Sequence, residues 1–205
     1  MQKNARCILR ASFNRTARLR TLGSCQQHLV AARRALIYAV AATRTRMPAS
    51  CVTVQIGQCG TQLGACVLDR LNAEARHEAD AAYFFRQGKS GERVARAVLV
   101  DTEPRVVGEV EGGDRDGCRW VYGAANRVLC DAGLRGCANN WAKGFSSEKE
   151  GVNRAADVVR REMERSDRVD ALLSFAAGAG GTGSGLGCAF HSCFSDDHPK
   201  IRPLH

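Results

Sequence analysis

No aspartate or glutamate occurs in the first 50 residues of this 205-residue chain, although that head carries Lys3 and arginines at 6, 10, 15, 18, 20, 33, 34, 44 and 46. The formal net charge is +9, so ten positive charges in the head leave the remainder at about −1. A basic chain suggests nucleic acid or an acidic surface as partner. Here the basicity is confined to the head, and no nucleic-acid partner is expected for the rest. Long apolar runs are also missing: Leu36–Ala42 falls far short of the roughly 20 residues that cross a bilayer and lacks a signal-peptide layout. No membrane partner is expected. The ten cysteines include no Cys-x-x-Cys pair and no histidine at zinc-ligand spacing, and no secretory signal precedes them. Neither a zinc site nor a disulfide framework fits, and reduced thiols are expected.

What remains has an ordinary globular composition, 44% hydrophobic and 25% charged, at the length of about one α/β domain. A compositional boundary falls near Met47, separating a basic extension over 1–46 from a folded part over 47–205. Cys51–Ile56 alternates as a short strand that Gly57 ends. From Gln58 to about Ala75 the apolar residues Leu63, Val67, Leu71 and Ala75 recur every four positions, one stripe of a helix. Ala95–Asp101 is an apolar run of the kind buried on both faces of a parallel sheet. Residues 108–118, with Gly108, Gly112, Gly113 and Gly117, are expected to be a loop. Val152, Ala156, Val159 and Met163 mark a helix ending near Ser166-Asp167, and Val169–Ala176 is a buried strand. Helix is expected again from Gly181 to about Phe194. Alternating strands and helices imply a Rossmann-like parallel sheet with flanking helices, its ligand at the carboxyl ends of the strands.

Three such ends gather glycine or polar residues: Gly57-Gln58-Cys59-Gly60, Asp101-Thr102-Glu103, and the turn Ala176-Ala-Gly-Ala-Gly-Gly-Thr-Gly-Ser-Gly-Leu-Gly187. Glycines let a backbone close around an anion, successive N–H dipoles converge on it, and a helix N-terminus adds partial positive charge. Thr182 and Ser184 add hydroxyl donors. The turn contains no Gly-Lys-Ser/Thr and is not a Walker A loop, nor does it sit on a first strand as the dinucleotide fingerprint does. A flexible linker would not lie between a buried strand and a helix. The segment is therefore expected to hold phosphate.

Gly180-Gly-Thr-Gly-Ser-Gly185 resembles the signature loop of the tubulin family. Val52-Thr-Val-Gln-Ile-Gly-Gln-Cys-Gly60 followed by Gln62 resembles that family's first phosphate loop, Val98-Leu-Val-Asp-x-Glu-Pro104 its second strand and acidic loop, and Asn139-Asn-Trp-Ala-Lys-Gly144 its third. The four motifs stand in family order from Met47 to the C-terminus. Ala95–Val106, Trp120-x-Tyr122-Gly123 and the long stretch Ala124–Ala138 lean toward the delta type, with an epsilon or lineage-specific tubulin as the alternative.

The resemblance implies a truncated tubulin nucleotide-binding domain that takes GTP with Mg²⁺ and associates with other tubulin subunits. It further implies the cytoplasm and cytoskeleton, at centriole, basal body or cilium. Gln58, Cys59 and Gln62 would approach phosphate, ribose or base. Glu103, with Asp101, would hold Mg²⁺ through carboxylate oxygen. Asn139 would reach the phosphate end, whereas Trp141 would pack. Ala179, Gly180, Gly181, Thr182, Gly183, Ser184 and Gly185 would cradle the β- and γ-phosphates. No catalytic residue is assigned, because the family's hydrolysis draws its water-activating acid from a neighbouring subunit.

Three positions depart from the family pattern. Ala177 stands where a serine is common, Ala138 where many relatives have glycine, and Thr61 where asparagine is usual. Tubulins are also more than twice this long, and the later loops that hold ribose and guanine are expected beyond His205. The head over 1–46 is expected to be upstream sequence foreign to the product, ahead of a genuine basic extension or a mitochondrial targeting segment. The rival from another class is a truncated interaction fragment that binds no nucleotide. An oxidoreductase on a similar sheet ranks third.

Overall fold

The computed structural model describes residues 49–75, 77–115, 118–130, 136–146, 149–198, 201 and 203–204. The basic head lies outside the described residues, as does the middle of the 124–138 stretch.

β1 (Ser50–Ile56) is buried along its whole length. It pairs in parallel with β4 (Ala97–Asp101) on one side and β8 (Val169–Ala176) on the other. β7 (Arg127–Leu129) and β9 (Pro203–Leu204) extend the parallel sheet to the order β7-β4-β1-β8-β9. Strands buried on both faces need side chains that suit both, which is why β4 and β8 read as apolar runs. On one face Val52, Val54 and Ile56 join Leu172, Phe190 and Phe194 in the main core. Two helices cover that face: α5 (Lys149–Met163), through Val152, Ala155, Ala156 and Val159, and α6 (Gly187–Asp197).

The opposite face carries α1 (Gly57–Glu74). Its glycines permit a very close approach. A Cβ on Gly60 would lie 2.1 Å from the Phe175 carbonyl oxygen, and one on Gly64 would lie 2.2 Å from Cδ of the buried Gln55. Gln55 in turn accepts a hydrogen bond from the Tyr122 hydroxyl at 2.9 Å.

A smaller sheet of order β2-β3-β6-β5 flanks the first. It comprises β2 (Phe85–Gln87), β3 (Arg93–Ala95), β5 (Asp114–Arg115) and β6 (Cys118–Tyr122), with a short α2 (Glu78–Ala81) leading in. The expected strand over 95–101 belongs to a longer run, 93–101, that changes sheets at Arg96. There the Arg96 N–H bonds Phe84 of the hairpin while its carbonyl accepts from Thr53 of β1, each at 2.8 Å. Segment 108–118, expected to be a loop, contains the end of α3 (Pro104–Glu109) and the β5–β6 hairpin. α3 buries only Val107, so it is too short to show a helical period. β8 spans the expected residues, while α6 starts at Gly187 after one π turn over Thr182–Leu186 rather than at Gly181. Repeated glycine is costly in an α-helix, and the wider turn replaces it there.

The two sheets are tied by Glu162 on α5, which is 0% exposed. Its carboxylate accepts from Arg86 Nε at 3.3 Å, Asn126 Nδ2 at 2.8 Å and Arg165 Nη1 at 2.5 Å. Asn126 Nδ2 also donates to the Ala97 carbonyl of β4 at 3.0 Å. One buried acid thus joins β2, β4 and α5. Removing one member of such a group strands the others. Glu162→Ala should lower the unfolding free energy by about 2–3 kcal/mol, read as a fall in the urea midpoint by circular dichroism.

Candidate functional site

The carboxyl ends of β1, β4 and β8 open on the same side, where the glycine turn crosses them. Gly57 ends β1 at φ +76°, a conformation that suits glycine, and a Cβ there would come within 3.0 Å of the Gly183 amide nitrogen. From the third motif, α4 (Trp141–Phe145) packs on the same turn. Cβ atoms on Gly144 and Gly185 would lie 2.1 Å from the Gly181 carbonyl and 2.3 Å from the Trp141 carbonyl. The Gly181 N–H bonds the Ala138 carbonyl at 2.7 Å. The first, third and fourth motif segments are therefore in contact around one point, and the acidic loop joins them where the Thr102 hydroxyl meets that of Thr182.

Backbone donors remain open there. Ala179 and Gly180 make no backbone hydrogen bond through their N–H groups among the described residues, and α1 begins without a side-chain cap at Ile56. Uncapped first-turn N–H groups and the helix dipole favour an anion. Gln58, Cys59 and Gln62 are exposed on the first turns of α1, whereas Gly60 and Thr61 are buried in its packing face. Asn139 is exposed, with its Oδ1 4.0 Å from the place a Gly180 Cβ would take. Gly181, Gly183 and Gly185 are buried as packing contacts of the turn. Ser184 donates its hydroxyl to the Gly180 carbonyl, so the turn itself holds the proton expected for a ligand.

Asp101 and Glu103 differ sharply. Asp101 is 2% exposed, and its Oδ1 accepts from the N–H groups of Thr102 at 2.6 Å and Glu103 at 3.0 Å. Its Oδ2 is buried with no hydrogen-bond partner among the described residues. Burial pushes the carboxyl above its ordinary value of 3.8, and the two N–H bonds only partly offset that. Glu103 is exposed and borders the third motif, where a Cβ on Gly136 would lie 2.3 Å from its Oε1. No group of three or more His, Cys, Asp or Glu side chains could hold a metal among the described residues. An orphaned buried carboxylate oxygen beside an open-donor glycine turn nevertheless fits a phosphate that brings its own divalent cation.

Sequence reasoning passed over Thr102 and the triplet 88–90, and marked Ala138 only through the resemblance. Thr102 lies between the two acids, and its hydroxyl is 3.2 Å from that of Thr182. Ala138 adopts φ +46°, so the position where many relatives have glycine is one where the backbone is left-handed. Only the resemblance pointed there. A Gly-Lys-Ser triplet does occur, Gly88-Lys89-Ser90, but Tyr83 stands where a Walker A loop has its first glycine. It forms the β2–β3 turn, at the start of the run whose other end carries Asp101.

Cys51, Cys59, Cys66, Cys188 and Cys193 form no disulfide. Burial pushes the Cys51 thiol up to about 12, so it is inert in the core. Trp141 and Phe145 stack at 4.7 Å and 14° on α4 and are 47% and 43% exposed.

A parallel α/β sheet with a glycine turn crossing its strand ends defines a nucleotide-binding architecture. The chain belongs to the Tubulin/FtsZ family: the model of that family's GTPase domain matches residues 50–204. It is similar to the tubulin delta chains of Macaca fascicularis and Homo sapiens, 35% identical over 156 residues, 67% of this chain and 33% of either relative. It is likewise 36% identical over 162 residues to the tubulin beta chain of Porphyra purpurea, covering 72% of this chain and 34% of that one. The chain thus spans about a third of the length of the curated relatives it matches.

Ala138 pays a left-handed penalty of about 1 kcal/mol that glycine avoids. Ala138→Gly should therefore raise the thermal midpoint by several degrees in differential scanning calorimetry. Asp101 carries a pH dependence of opposite sense to the usual carboxylate. Its raised pKa means that the folded chain binds the proton more tightly than the unfolded one, so stability falls as pH climbs past 3.8. In EDTA, Asp101→Asn should have a higher urea midpoint than the wild type at pH 7, with the difference narrowing as pH drops toward 4.

Proposed function

We propose that this chain is the nucleotide-binding part of a delta-type tubulin subunit, taking GTP with Mg²⁺ and serving microtubule-related structures such as centrioles, basal bodies or cilia. One observation supports it above the others: four separate motif segments meet at the carboxyl ends of β1, β4 and β8, with Gly57 and Gly183 in backbone contact. The turn over 179–183 and the start of α1 would receive the phosphates, and Gln58, Cys59, Gln62 and Asn139 stand exposed at the rim. Asp101 and Glu103 would hold the cation, which supplies charge neutralisation for the phosphates. The family's GTPase domain implies GTP, and the features leaning to the delta type are Ala95–Val106, Trp120-x-Tyr122-Gly123 and the stretch 124–138. Other tubulin subunits are the partners of this reading, and the exposed Trp141–Phe145 stack beside the glycine turn is a surface they could cover.

The second reading, a tubulin-like interaction fragment that binds no nucleotide, is favoured by Ala177 and by the left-handed Ala138. Equilibrium binding of a fluorescent GTP analogue separates the two. Saturable binding that strengthens with Mg²⁺ and is displaced by GTP but not by NAD is expected. No binding at any Mg²⁺ concentration leaves the interaction fragment. Hydrolysis by the isolated chain should be negligible, and multiple turnovers in a phosphate-release assay would contradict that.

A further inference from the structure

We propose that Thr102 is a positioning residue of the phosphate site, its hydroxyl setting the direction in which the Thr182 hydroxyl faces the ligand. The inference rests on the nucleotide-binding reading above. Asp101 fixes the start of the acidic loop by accepting from the N–H groups of both Thr102 and Glu103. That bracing leaves the buried Thr102 side chain with its Oγ1 3.2 Å from Oγ1 of Thr182. Thr182 is the first residue of the π turn, and its Cβ is 3.7 Å from the place a Gly57 Cβ would take. It is therefore held between the end of β1 and the acidic loop.

Two hydroxyls in contact commit one of their two protons to each other, so only the accepting hydroxyl keeps a proton to give elsewhere. The Asp101 carboxylate competes for the Thr102 proton; when Thr102 donates to Thr182 instead, the proton of Thr182 is free for a phosphate oxygen. The chain from Thr102 through Thr182 to phosphate is then polarised in one direction, which strengthens its last bond. When Thr182 donates instead, its lone pairs face the site and suit a cation. An apolar residue at 102 would leave the Thr182 rotor without a reference and add a rotational cost to binding. The neighbouring Asp101 Oδ2, buried without a hydrogen-bond partner among the described residues, is an independent sign that this corner is built for a charged ligand.

The test compares the full 205-residue chain with Thr102→Val, Thr102→Ser, Thr182→Val and the double variant Thr102→Val/Thr182→Val. Each is titrated with the fluorescent GTP analogue in Mg²⁺, and each is also unfolded in urea. Thr102→Val should weaken binding about five- to tenfold, the loss expected for one hydrogen bond, and Thr102→Ser should restore it. Because Thr102 acts through Thr182, adding Thr102→Val to Thr182→Val should cost nothing further. Wild-type binding by Thr102→Val overturns the proposal, and so does a double variant whose losses multiply. A loss of binding that follows the fall in urea midpoint across all the variants, serine included, also overturns it. Failure of the wild-type chain to bind defeats the nucleotide reading itself, a result distinct from these.

Discussion

The contact between Gly57 and Gly183 is the constraint on which the site depends. It brings the glycine turn that follows β8 within van der Waals reach of the end of β1 through backbone alone. A Cβ on Gly57 would press on the Gly183 backbone, and one on Gly183 would lie 2.8 Å from the Ala177 amide nitrogen. The contact also requires the register that pairs Ile56 with Ala176, since a slip by one residue would turn the strands over and move the turn off β1. Register, in turn, is held by the two-faced burial of β1, with valines and Ile56 on the α5–α6 side and Gln55 against Gly64 on the α1 side. Core packing and ligand geometry are thus one problem here. The same glycine economy recurs where α4 meets the turn through Gly144 and Gly185.

Legibility followed the length and symmetry of each element's burial. Val169–Ala176 is a continuous eight-residue strand beside the central β1, and its limits were readable from its largely apolar run with Ala171, Leu172 and Phe175 buried. α1 was readable from its period, although its deepest contacts come from Gly60 and Gly64, which no hydrophobic pattern marks. The β5–β6 hairpin was missed because its anchoring depends on Trp120 meeting Phe85 and Tyr122, ring centroids 6.0 Å and 5.1 Å apart, across a sheet that only tertiary structure assembles. In the site, residue types marked the acids and glycines. They could not mark Thr102, whose significance lies wholly in a neighbour 80 positions away. Nor could they show that the Ser184 hydroxyl is spent on the turn.

The distribution of charge completes the argument. Outside its head the chain is close to neutral, and the lysine of the third motif, Lys143, directs its ammonium to the Gly136 carbonyl at 2.7 Å. Among the described residues, a polyphosphate arriving at the strand ends would meet backbone dipoles and a helix terminus. Dipoles of this kind are effective at short range and weak against several negative charges at once. Two carboxyl groups at the same place, one of them buried with a free oxygen, make an anion without a cation still less favourable. On the reading proposed above, the site would take a phosphate and a divalent ion together. In that arrangement the acidic loop would hold the cation, and the hydroxyl pair of Thr102 and Thr182 would lie at the seam between the cation's ligands and the phosphate's donors.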